Sequence, residues 1–231
     1  MYIYKIKSKL PITEYAPTWN ISIGNTVWGD TEKIDSIRTW LLDNEEKIKE
    51  NFPVINDAGT GLGVDSVSAR YGMFNLFDFS NELPELNDLL KFLRLSYIDF
   101  VESDHTDKQN LVAVSWFNII RGGAKIKEHV HSSTNLAYLS VNMHLDSYPT
   151  ETIYNSPFDR FDNHSFANAK GGLAIFPSYV PHKTTEYTNL SIPRVSIACD
   201  LRLPNTVHPN NAIQEFMNKE IYKQLMSERQ L

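Results

Sequence analysis

His129 and His131 are separated by a single residue. On an extended strand, residues two apart project to the same side, so both imidazoles can reach one metal ion. A third histidine, His182, closes the turn-like segment FPSYVPH at 176–182, and Arg194 follows twelve residues later with Ser196 on the same strand face. Two near histidines, one distant histidine and a downstream arginine form a metal-plus-anion constellation. Imidazole nitrogens hold a divalent cation, and a planar guanidinium grips a carboxylate through a two-pronged fork. Each piece alone has a plainer explanation. An HxH pair is more often a surface or structural feature, His182 fits an ordinary loop histidine, and Arg194 fits a salt-bridged strand residue. Their joint order is what points to a site. The other histidines contribute less: His105 sits at a charged helix end, His164 in a polar loop, and His208 beyond the last strand. His144 shares a strand face with Tyr138, and is either a pocket-lining group or a hydrogen-bonded barrel histidine, the commoner case.

The elements that must position these groups are mostly strands. Residues 111–120 (LVAVSWFNII) are rich in β-branched and aromatic types, and Gly122 and Gly123 punctuate them. Residues 135–145 alternate, with Ala137, Leu139, Val141, Met143 and Leu145 opposing Tyr138, Ser140, Asn142 and His144. Residues 192–201 repeat the pattern, with Val195, Ile197, Cys199 and Leu201 opposing Arg194, Ser196 and Asp200. The first ten residues alternate weakly and are compatible with a strand. A helix is expected from Asp30 or Thr31 to about Glu50, with Ile34, Ile37, Leu41 and Ile48 on one face. A second follows Pro84, where Leu86, Leu89, Leu90, Leu93, Tyr97, Phe100 and Val101 recur at helical spacing. A third is expected after Pro209 and Asn210, with Ile213, Met217, Ile221 and Leu225 as its stripe. Three amphipathic helices need an apolar surface to cover. A sheet that turns its apolar face to them can turn its polar face into a ligand cavity. Residues 146–170 read as a long polar excursion between strands, of a length more often functional or mobile than filler.

Composition narrows the class. The chain has 231 residues, a formal charge of −6 and 42% apolar residues, which suits one soluble domain with a real core. We divide it into a mixed, partly helical segment 1–109, a barrel core 110–203 and a carboxy-terminal helix 204–231. The acidic balance disfavours a nucleic-acid partner. One cysteine, Cys199, excludes an internal disulfide and a CxxC zinc site. Neither a secretory leader nor an apolar run of spanning length is visible, so no membrane partner is expected and the cytoplasm is the default compartment.

At residues 115–145 (SWFNIIRGGAKIKEHVHSSTNLAYLSVNMHL) and 171–201 (GGLAIFPSYVPHKTTEYTNLSIPRVSIACDL) the chain resembles the iron- and 2-oxoglutarate-dependent oxygenase superfamily. It is most similar to a branch common in phage and bacterial genomes and related to prolyl hydroxylases. The second stretch carries the more specific text, a glycine-leucine-hydrophobic-FPS…H turn followed by R-hydrophobic-S. Residues 59–77 are similar to the amino-terminal part of the same branch, and their glycines lack the strand-to-helix context of a nucleotide loop. The resemblance implies a mainly β fold with flanking helices, built on a double-stranded β-helix (a cupin-like jelly-roll). It implies Fe(II) at His129 and His182, with Arg194 holding the distal carboxylate of 2-oxoglutarate, assisted by Ser196. The usual facial set is two histidines and one carboxylate. Here His131 stands where that carboxylate belongs, and we favour it as the third ligand over a lining role, as the branch often reads HxH there. Trp116, Asn118, Tyr138 and Asn142 are wall candidates, with Asn118 and Tyr138 assigned to the co-substrate side. Each is equally compatible with packing or hydrogen bonding within the barrel.

The implied activity is hydroxylation of a substrate, with succinate and carbon dioxide as co-products. The substrate is a protein side chain by relationship, with a small metabolite or nucleobase as alternatives. Two rivals share the residues: a three-histidine cupin dioxygenase or zinc hydrolase, in which Arg194 has no co-substrate, and a non-enzymatic jelly-roll binding or structural module.

Overall fold

A computed structural model describes residues 1–229 apart from Ala58, Ser133 and Arg160. Gln230 and Leu231, the end of the expected carboxy-terminal helix, lie outside the described residues. Ten strands occur among the described residues, in chain order: β1 (Tyr2–Lys7), β2 (Asn20–Val27), β3 (Leu111–Ile120), β4 (Leu139–His144), β5 (Glu151–Asn155), β6 (Asn163–Ala167), β7 (Gly172–Pro177), β8 (His182–Thr184), β9 (Arg194–Arg202) and β10 (Gln214–Met217). Seven form an antiparallel sheet in the order β1-β2-β7-β4-β9-β3-β10, and three form a second sheet in the order β6-β5-β8. Bridges at Ala124↔Tyr187 and His129↔His182 lay residues 124–129 along the free edge of β8. The chain is a jelly-roll.

The two faces of the larger sheet divide as the alternation predicts. Phe117 and Ile119, Leu139, Val141 and Met143, and Val195, Ile197, Cys199 and Leu201 join a core with helix α1 (Thr31–Asp43) and helix α3 (Glu85–Ser103). Each fully buried leucine or isoleucine there contributes about 1.5–3 kcal/mol. Trp116, Asn118, Asn142, His144, Ser196 and Asp200 face the other way, into a cavity between the sheets.

The structure departs from the sequence expectations in several of its elements. The helix expected to run unbroken to Glu50 ends at Asp43 and restarts as α2 (Glu45–Asn51). At the break both the backbone N–H (3.0 Å) and the side-chain Nδ2 (2.9 Å) of Asn44 donate to Trp40 O, so Asn44 caps the first helix at its end. The excursion 146–170 contains the hairpin β5–β6, whose inward residues Thr152 and Tyr154 are buried while Glu151 is exposed. The carboxy-terminal helix starts late. Residues 214–217 pair with β3, an otherwise open edge, and α4 (Lys219–Arg229) begins where the Asn218 side chain accepts from Glu220 N and Ile221 N. Ile213 is therefore exposed and Met217 is a buried strand residue, which leaves Ile221 and Leu225 as the helix contacts. Finally, the larger sheet draws β1, β2 and β10 from outside residues 110–203.

Candidate metal centre

Backbone pairing creates the histidine cluster. His129 and His182 are direct antiparallel partners, exchanging N–H···O bonds of 3.1 and 3.0 Å, the register in which facing side chains rise side by side. His131 N donates to Ser178 O (2.9 Å), which holds the next two residues of the HxH segment against the turn before β8. Ring centroids lie 4.3 Å apart for His129–His182, 5.1 Å for His129–His131 and 5.0 Å for His131–His182. One nitrogen from each ring lies within 4.8 Å of the other two.

The remaining nitrogens fix the tautomers. His129 Nδ1 meets Lys127 O (2.8 Å), His182 Nδ1 meets Val180 O (3.1 Å), and His131 Nδ1 meets the Asp200 carboxylate. All three partners can only accept, so each ring carries a proton on Nδ1, which leaves Nε2 as the atom each can offer a metal. Burial, and then repulsion from His131, holds His129 below the ordinary imidazole range; His182, more deeply buried, is held well below it. Neutral imidazoles with free lone pairs are the form a first-row divalent cation takes, and imidazole suits iron, zinc, nickel and copper alike. The donor set fits the implied iron.

The cluster opens on a cavity of about 330 Å³ whose wall includes Trp116, Phe176, Asn118, Thr184 and Ser196. Thr184 stands two residues beyond His182 on β8, about 7 Å along the strand. Behind it lies Arg194, 1% exposed. Its Nη2 donates to Thr184 Oγ1 (3.0 Å) and its Nη1 to Thr150 Oγ1 (3.1 Å), while Nε has no partner among the described residues. No carboxylate is paired with it there, and burial drives its pKa down to about 10. An unpaired buried guanidinium is costly, and cations of this kind are normally matched by an anion.

Of the residues chosen from sequence, His129, His131 and His182 converge, and Asn118 and Ser196 line the same cavity. Asn118 Oδ1 accepts from Ser68 Oγ (2.6 Å) and its Nδ2 donates to Ser196 Oγ (3.4 Å), so the 59–77 segment braces this wall. Trp116 and Asn142 also line the cavity. Tyr138 does not. Strand pairing starts at Leu139, so the alternation that would have turned Tyr138 inward does not extend to it. Its hydroxyl meets Tyr97 OH (3.0 Å) beside a separate hollow lined by Phe100, Asp104 and Gln109. His144 reaches the cavity, with Nε2 at 3.4 Å from Thr152 Oγ1 and Nδ1 without a partner among the described residues; burial and the nearby Arg194 charge push its pKa down to about 3. His164 instead stacks on Tyr4.

Sequence reasoning gave no role to Thr184 or Asp200. Asp200 is 1% exposed, lines the cavity and bonds to His131. Its signal was present in the alternation Arg194, Ser196, Asp200 on one strand face, but nothing linear ties residue 200 to residue 131.

No family model and no curated protein matches the chain. Solved structures do. A Pseudomonas putida prolyl-4-hydroxylase aligns with a TM-score of 0.55 at 11% identity, covering 78% of this chain and 92% of its own. SnoK, a non-heme alpha-ketoglutarate-dependent carbocyclase from nogalamycin biosynthesis, aligns at 0.52 and 12% identity, over 83% and 88%. HygX from Streptomyces hygroscopicus, solved with nickel and 2-oxoglutarate bound, aligns at 0.50 and 9% identity, over 80% and 82%. At such identities the likeness establishes a shared fold.

Proposed function

We propose that this chain is an Fe(II)- and 2-oxoglutarate-dependent oxygenase, with the metal at His129, His131 and His182. The observation that carries the proposal is Arg194: a buried guanidinium with no carboxylate partner among the described residues, placed behind the strand that presents His182. A zinc hydrolase or a three-histidine cupin dioxygenase gives that charge no counterpart. A five-carbon diacid would give it one: with its keto-acid end at the metal, the far carboxylate would lie toward Thr184 and Ser196 in the cavity wall, with Arg194 hydrogen-bonded behind Thr184. Bound there, the iron supplies oxidation of a substrate C–H bond by dioxygen, coupled to conversion of 2-oxoglutarate to succinate and carbon dioxide.

The protein's own residues do the rest. The three Nδ1–H bonds hold the imidazoles in metal-binding tautomers. Arg194 neutralises the distal carboxylate, and the Thr184 hydroxyl, which already accepts from Arg194 Nη2 and Ile126 N (3.1 Å), has its proton left to donate. Trp116 and Phe176 keep the wall apolar and limit water. Hydroxylation of a protein side chain is the reaction we assign, by likeness to the prolyl-4-hydroxylase.

The test is spectroscopic. Anaerobic Fe(II)-loaded protein titrated with 2-oxoglutarate should develop a visible charge-transfer band, and Arg194→Ala should require far more co-substrate to do so. A wild-type protein that takes up Fe(II) and shows no band at saturating 2-oxoglutarate refutes the proposal. Absence of any stoichiometric metal points to a non-enzymatic jelly-roll.

A further inference from the structure

A two-histidine, one-carboxylate set brings a negative charge directly onto its metal. Three imidazoles bring none. Yet a carboxylate is present one hydrogen bond away. Asp200 Oδ1 accepts from His131 Nδ1 and from Ser140 Oγ (2.8 Å), and its Oδ2 accepts from Tyr71 OH and Arg202 Nη2 (both 2.8 Å). Four donors on two oxygens hold the group rigidly at the base of the cavity, on the strand that pairs with both β3 and β4. A surface aspartate does not need such a cradle. The residue it touches is the one standing where the usual ligand carboxylate is missing.

We propose that Asp200 is the displaced carboxylate of this centre: acting through His131, it supplies the negative charge that the three-imidazole set lacks and turns His131 Nε2 to the metal. Asp200 is thus a positioning residue, and His131 and Asp200 together do the work of one acidic ligand. The inference rests on the metal-site half of the function proposed above and is independent of the co-substrate. Carboxylate partners of metal-bound histidines raise ligand basicity, and their loss typically weakens metal binding by about 10–100-fold. Arg202 shares Asp200 Oδ2, so neutralising Asp200 also leaves that cation uncompensated beside the metal, which acts in the same direction.

The charge should be transplantable. We would measure cobalt(II) binding to the metal-free protein by chelator competition at pH 7.5, with cobalt(II) alone as the probe. Asp200→Asn should weaken binding on the order of 10–100-fold. The double variant H131D/D200N, which moves the carboxylate from behind the ring to the metal itself, should recover most of that loss. A purely structural role for Asp200 predicts no such recovery. Asp200→Ser, small enough to admit a water, carries the same expectation should the Asn variant not fold. Wild-type affinity in Asp200→Asn, or a double variant no better than the single one, overturns the inference while leaving the metal site standing. A wild-type protein that binds no cobalt(II) overturns the metal site and the inference with it. A missing 2-oxoglutarate band touches neither.

Discussion

His144 offers a quantitative handle on the cavity that needs neither metal nor co-substrate. Its imidazole is buried, its Nδ1 has no partner among the described residues, and it lies near the Arg194 charge, so its pKa falls from 6.5 to about 3. In the unfolded chain it titrates near 6.5. Below that pH the unfolded state binds a proton that the folded state refuses, so stability is present above pH 6.5 and is lost as the pH falls toward 3. Each unit in that window is worth about 1.36 kcal/mol. Between pH 7.0 and 4.5 the loss from this one residue is about 2–3 kcal/mol, after allowing for the small fraction already titrating at pH 7. His144→Gln can keep a donor on Thr152 Oγ1 and removes the titration. Urea unfolding of both proteins in EDTA, at the two pH values, isolates the term, since every other group is common to the pair. The wild type should lose about 2–3 kcal/mol more than the variant on acidification. Equal losses in the two proteins would refute the enclosure of His144 and the closed, charged end of the cavity with it.

Arg194→Met should separate stability from function. The metal-free variant should melt at the wild-type temperature or above, because an unpaired buried cation is gone, while 2-oxoglutarate affinity falls by about 2–5 kcal/mol in calorimetry on the manganese(II)-loaded protein. A drop in melting temperature with unchanged affinity would make Arg194 structural. Thr184→Val should weaken 2-oxoglutarate binding by about 1.5–3 kcal/mol and leave 2-oxopentanoate, which lacks the distal carboxylate, unaffected; equal weakening of both would mean that Thr184 only packs. Gly171 has φ +74°, and a Cβ there would stand 2.2 Å from Trp28 O at the entry to β7. Gly171→Ala should cost at least about 1–3 kcal/mol, read as a melting-temperature drop of about 3 °C or more, and an unchanged melt would count against that turn.

Much of the centre was legible because strand periodicity is local. A spacing of two puts His129 and His131 on one side wherever the backbone is extended, and the same rule places Arg194, Ser196 and Asp200 on one face of β9. The apolar faces of β3, β4 and β9 and the stripe of α3 follow from the same arithmetic. It failed where a distant partner intervened. Residues 214–217 fit a helical stripe, but the open edge of β3 offered hydrogen bonds that won. The β5–β6 hairpin looked like a polar loop because Thr152 turns a polar side chain inward, toward the cavity, where a core strand would place an apolar one. Tyr138 was misplaced because β4 begins only at Leu139 and its ring turns to Tyr97 instead of the cavity.

The sequence by itself determined which groups exist, three imidazoles, a guanidinium and alternating strands to carry them, because side-chain chemistry and the two-residue repeat are properties of adjacent residues. Only the tertiary structure decided that His129 faces His182 across a bridge, that Arg194 is buried with no carboxylate partner among the described residues, and that Asp200 stands behind His131. Those are matters of register and burial between segments tens of residues apart, and they depend on the free energy of the whole packed chain.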